Sequence, residues 1–125
     1  MTEPRVEVAR VYEDWRSRPG KHLFVDRLWP RGMSKAKFQP DAWLKGIAPT
    51  SDLRKWYHAD IEARRDEFQK RYRAELDSNP DGVAEILEMC RKGPVTLLTS
   101  THDVSRSATV ILRDYLLERL GEKGS

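Results

Sequence analysis

The run Leu23-Phe24-Val25 passes directly into Asp26-Arg27-Leu28-Trp29-Pro30-Arg31-Gly32, and this junction constrains the fold more than any other stretch. Three successive apolar strand formers leave no polar face for solvent, so such a strand is covered on both sides. Pro30 and Gly32 then end regular structure. A second junction of the same kind follows Gly93-Pro94: Val95-Thr96-Leu97-Leu98-Thr99 reads as a strand, Ser100 to Asp103 as a loop, and about 104–120 as a helix. That helix carries Ala108, Ile111, Leu112, Tyr115, Leu116 and Leu120 as one apolar stripe, with Gly121 placed to close it. Strand, loop and helix in this order imply parallel strands with helices packed on the sheet.

Elsewhere the pattern constrains less. Val6, Val8 and Arg10 alternate with Glu7 and Ala9, so residues 5–12 read as a first strand with Arg10 near its end. The second strand spans about 22–28, where Asp26 and Arg27 would face opposite sides of the sheet, making one of them structural. Only nine residues, 13–21, link these strands, so an antiparallel hairpin remains open from pattern alone. Pro40 suits the first turn of a short helix near 40–46 that carries Trp43 and Ile47 inward. Thr50 or Ser51 caps a helix to about 57, and Asp60 caps one over 61–77 with Ile61, Phe68, Tyr72 and Leu76 inward. Asn79-Pro80 opens another through about 92, burying Val83, Ile86, Leu87 and Cys90. Asp66–Lys70 and Glu67–Arg71 lie at helical i,i+4 spacing and mark a solvated face.

At 125 residues the chain fits one domain, 1–125, with 38% hydrophobic and 34% charged residues. No apolar run reaches membrane-spanning length and the first residues lack a signal-peptide pattern, so no membrane partner is expected. The single cysteine, Cys90, excludes an internal disulfide, fits a reducing compartment and supports a cytoplasmic location. Net charge is only +3, and acids are mixed through most basic stretches. Only Arg27 to Lys37, with Arg27, Arg31, Lys35 and Lys37, is basic without offset. No Walker loop, Gly-x-Gly-x-x-Gly or Gly-x-Ser-x-Gly occurs, and the histidines at 22, 58 and 102 lack metal-ligand spacing. No metal is expected and no cofactor or reaction is assigned.

In open α/β sheets, ligands sit outside the carboxyl ends of parallel strands. The loops that would meet there bring Arg10 and Tyr12, Asp26 to Arg31, and Thr99 to Ser107. Arginine forks suit phosphate and carboxylate. The expected ligand set is therefore Arg10, Asp26, Arg27, Arg31, Arg54 and Asp103 around an anionic small molecule. Each has a plainer role: Asp26 and Arg27 as loop ties, Arg54 as a clamp on Trp29 to Gly32, Asp103 as a cap on the last helix. His102 is either a general acid–base or an exposed loop residue, Cys90 a buried structural thiol, and Trp29, Trp43 and Trp56 core or groove lining.

The string Asp26-Arg27-Leu28-Trp29-Pro30-Arg31-Gly32, with Trp43-Leu44-Lys45, Ala48-Pro49, Leu53-Arg54-Lys55-Trp56, Phe68 to Tyr72 and Val95 to Leu98, resembles the YeaO-like branch of the domain-of-unknown-function 488 family. The likeness covers roughly residues 6–116. Longer members place a helix between the first two strands, so the resemblance implies a parallel sheet rather than a hairpin. It implies an α/β fold: a small Rossmann-like domain, mainly a parallel sheet of three or four strands covered by helices. It brings no catalytic assignment. Recurrent polar positions of the family match Arg10, Asp26, Arg27, Arg31, Arg54 and Asp103, whereas Thr99, His102 and Ser107 stand where relatives tend to have Tyr, Lys and Asn. His58-Ala59-Asp60-Ile61 likewise departs from an expected Gly-His-Asp-Pro. The leading expectation is binding of a phosphate- or carboxylate-bearing small molecule; the alternative is a nucleic-acid-binding or regulatory module using the Arg27–Lys37 edge.

Overall fold

Four parallel strands in the order β1-β4-β2-β3 form the centre of the molecule, seen here in a computed structural model describing residues 5–124. The strands are β1 (Val6–Arg10), β2 (Lys21–Phe24), β3 (Ala42–Trp43) and β4 (Val95–Thr99). Helices α1 (Ser51–His58), α2 (Ile61–Asp77) and α3 (Pro80–Lys92) intervene before β4, and α4 (Ala108–Gly124) follows it. Short 3-10 turns occupy Lys45–Ile47 and Val104–Arg106. The hairpin alternative is excluded, because β1 and β2 are both parallel to β4 and lie on either side of it. The link over 11–20 suffices without a helix because β1 and β2 are only five and four residues long, so an extended chain can run back their length and cross β4.

Strand β4 is buried at every position, as expected for a central strand running Val-Thr-Leu-Leu-Thr. Alternation along the sheet divides the core in two. Val6, Leu23, Val25, Val95 and Leu97 face the helices, meeting Phe68, Tyr72, Ile86, Leu112 and Leu116. Ala9, Phe24 and Leu98 face the other way, onto Val11, Trp15 and Phe38. On this second face no helix packs among the described residues; loops from residues 11–20 and 25–41 cover it instead. Trp15 makes that cover: it is 2% exposed, its ring meets Phe38 edge-on, and its Nε1–H donates to Val11 O.

The helix starts follow their caps. Thr50, Asp60 and Asn79 accept from the backbone N–H groups of Leu53, Ala63 and Gly82, and Pro80 occupies the first turn of α3. Glu67 and Arg71 pair at 3.0 Å on the exposed face of α2.

Five local expectations are corrected. The helix expected near 40–46 is instead strand β3 followed by a 3-10 turn, because Asp41 N–H and Leu44 N–H donate to His22 O and Phe24 O, adding an edge strand to β2. Trp43 there is exposed, and its Nε1–H donates to Asp26 O. Strand β2 ends at Phe24 rather than near residue 28, so strand alternation does not govern Asp26 and Arg27. Gly121 does not end α4, which runs to Gly124, and Asp103 caps the 3-10 turn rather than α4.

Candidate functional site

Beyond the carboxyl ends of β2 and β4 lies a cavity of about 540 Å³, walled by the loop after β2, helix α1, the start of α2 and the segment from Ser100 to Thr109. That volume lies in the range of small-molecule sites. Asp26, Arg27, Arg31, Arg54 and Asp103 all line it. Arg10 does not: its Nε–H donates to Thr101 O at 3.1 Å and its guanidinium lies over the Tyr12 ring. It braces the β4 loop from behind.

The hydrogen bonds separate the cavity's polar groups into those already engaged and those left open. Asp26 accepts three hydrogen bonds. Thr99 Oγ1–H donates to Oδ1 at 2.8 Å, while Ser100 N–H and Oγ–H donate to Oδ2 at 2.7 and 2.8 Å. The carboxylate thus joins the end of β2 to the end of β4, and Thr99, buried completely, is a structural partner. Arg27 is occupied too: Nε–H donates to Pro49 O at 3.0 Å and an Nη2–H to Ala48 O at 3.1 Å. It is therefore drawn inward from the basic edge, where Arg31, Lys35 and Lys37 remain exposed.

Asp103 accepts from Ser105 N–H and Oγ–H at 3.1 and 2.6 Å. The Ser105 hydroxyl, with Arg106 near it, holds this carboxyl below the usual range. Arg106 is paired with Glu62. The hydroxyls of Ser107, Tyr57 and Tyr72 donate to the carbonyls of Val104, Arg106 and Ile47. Burial pushes the Tyr72 phenol far up, so it stays neutral.

Arg54 is different. It projects from the middle of α1 into the cavity wall, and its buried Nε has no hydrogen-bond partner among the described residues. It does not clamp the Trp29–Gly32 loop. That loop is held by Tyr12 O–H donating to Arg31 O and Trp29 Nε1–H donating to Met33 O. A buried donor without an acceptor is costly, on the order of 1–3 kcal/mol and more for a charged group. One turn further along α1, His58 also lines the cavity; burial, and then the positive charge of Arg54, lower its pKa. Both effects favour the neutral imidazole beside the Arg54 guanidinium.

Arg54 and His58, four residues apart, share one face of α1. Phe68 and Tyr72 were expected only as inward core residues, yet together with Tyr57 they also line the cavity. The i,i+4 spacing of Phe68 and Tyr72 signalled burial but not the opening above them. Cys90 lies away from the site, 3% exposed, and burial raises its thiol pKa to about 11. Among the described residues no cluster of His, Cys, Asp and Glu is arranged to hold a metal, and no helix is long and apolar enough to cross a membrane.

Over residues 5–125 the sequence matches a family described as the inactive DUF488-N3 subclade. It is 41% identical over 116 residues to the uncharacterized protein Rv3073c of Mycobacterium tuberculosis (strain H37Rv), covering 93% of this chain and 97% of that one. It is 32% identical over 111 residues to the uncharacterized protein YeaO of Escherichia coli (strain K12), covering 89% of this chain and 96% of that one. No solved structure matches it.

Proposed function

The chain belongs to the YeaO-like DUF488 family, within its inactive DUF488-N3 subclade, and from that premise we propose that it binds a phosphate- or carboxylate-bearing small molecule. The observation that carries this reading is the buried, unpartnered Nε of Arg54 in the wall of the cavity. An anion there would supply the missing acceptor, and a guanidinium fork matches two oxygens at once. The neighbouring carboxylates are partly met within the protein, Asp26 by three hydrogen bonds and Asp103 by two and by Arg106 at 3.6 Å. Arg31, exposed at the rim, adds a second positive charge. The family description as inactive favours binding without turnover. So does the state of Asp26, whose oxygens are committed to loop architecture rather than to proton transfer. The single cysteine, buried and unpaired, suits a reducing compartment, and we place this activity in the cytoplasm.

The test is a calorimetric titration with inorganic phosphate in chloride-matched buffer. Wild type should saturate at one site, and Arg54→Met should bind at least about tenfold more weakly, the loss expected for one charge-assisted contact. Methionine keeps much of the apolar stem and removes an unsatisfied donor, so the ligand-free melting temperature should not fall. Equal binding by both proteins would refute the proposal.

A further inference from the structure

The cavity's open polar capacity is small and its apolar wall is large. Its hydroxyls on Tyr57, Tyr72 and Ser107 each donate to a backbone carbonyl, Asp26 accepts three hydrogen bonds and Asp103 two, Arg27 and Arg106 have acceptors, and Arg31, His58 and His102, which also line it, are exposed. Arg54 is left as the one arginine of the wall with a buried, unpartnered donor among the described residues. Around it stand Val25, Ala48, Pro49, Ile61 and the Tyr57–Phe68 pair, whose rings stack in parallel at 3.8 Å. Leu28 lines the mouth and is 60% exposed, an unusual state for a leucine beside a concave apolar surface.

A polyanion such as a nucleoside triphosphate would find one inner fork, a second charge only on the exposed Arg31, and apolar walls for the rest, a poor exchange for its hydration. We infer, building on the anion reading above, that the ligand is amphipathic: one carboxylate or phosphate head held by Arg54, on an apolar body of ring size packed against the aromatic wall and covered by Leu28. The volume of about 540 Å³ accommodates a two-ring body with its head.

Four probes separate head from body: inorganic phosphate, 1-naphthyl phosphate, 1-naphthoate and 1-naphthol, titrated calorimetrically into the full chain. At least one naphthyl anion should bind on the order of tenfold or more tighter than inorganic phosphate, because its rings leave water. Naphthol should bind at least about tenfold weaker than that anion, and Arg54→Met should remove the difference. Which naphthyl anion binds tighter identifies the head as phosphate or carboxylate. Leu28→Ser, at an exposed position, should weaken the naphthyl anion by about threefold or more while leaving inorganic phosphate unchanged. Should phosphate bind through Arg54 while neither naphthyl anion gains on it, the amphipathic ligand is refuted and the anion site stands. Naphthol binding as tightly as the naphthyl anions, or no probe binding at all, would overturn both.

Discussion

Arg27 and Arg54 carry the same group into the same cavity and use it oppositely. Arg27 spends two N–H groups on the carbonyls of Ala48 and Pro49, tying the loop after β2 to the entrance of α1. Arg54 keeps a buried donor without an acceptor. Sequence alone could not distinguish them, because Arg27 finds its acceptors 21 and 22 residues away. The alternation that set Asp26 and Arg27 on opposite faces also presumed a strand, and β2 stops at Phe24. Both residues are loop ties. Arg27→Met should therefore destabilise the ligand-free protein by about 1–3 kcal/mol, since two backbone carbonyls lose a charged donor. Denaturant unfolding measures this, and an unchanged midpoint would mean that the two bonds contribute nothing. Arg54→Met should show the reverse pattern, with stability kept and anion affinity lost.

Elements with a local signal were legible, and those made by distant pairing were not. Thr50, Asp60 and Asn79 announce α1, α2 and α3 because a cap is chemistry within four residues. Strand β3 has no such mark: two residues pair with β2, and Pro40 equally suits a helix start. The glycines show how far local rules reach. Gly20 has φ +82°, and a Cβ there would lie 1.9 Å from Pro94 O, the same carbonyl that accepts from Lys21 N–H. Gly121, expected to end α4, sits inside the helix with nothing near its absent side chain. Substitution by alanine should therefore act with opposite signs. Gly20→Ala should cost more than about 1 kcal/mol through clash and a disfavoured φ, and Gly121→Ala should stabilise by roughly 0.5–1 kcal/mol. Thermal melts of the two variants decide it: a Gly20→Ala protein that melts no lower would contradict this account of the turn before β2, and a Gly121→Ala protein that melts lower would contradict the placement of Gly121 inside α4.

At the scale of the molecule, the two junctions that dominate the sequence also build the site. Each runs from a doubly buried strand into a polar loop, and because β2 and β4 are parallel neighbours the two loops emerge side by side. Asp26 with Thr99 and Ser100 locks them together, and α1 supplies Arg54 from across the cavity. The helical face and the parallel run of β2 with β4 were thus readable from the strand–loop–helix order, whereas pattern alone left β1 open to a hairpin and only the family resemblance pointed to its parallel run. The loop-covered face behind Trp15 was not, since irregular cover has no period, and neither was the exclusion of Arg10 from the cavity. The central claim is that the cavity is a receptor for an anion and that Arg54 is its donor. Nitrogen-edited NMR of the arginine Nε–H groups, assigned with Arg54→Met and titrated with inorganic phosphate at constant ionic strength, tests it most directly. The account predicts a saturable shift of the Arg54 Nε–H signal, with the Arg27 signal, already bonded to Pro49 O, moving little. An Arg54 signal that stays still to saturating phosphate, or arginine signals that all drift together without saturating, would contradict it.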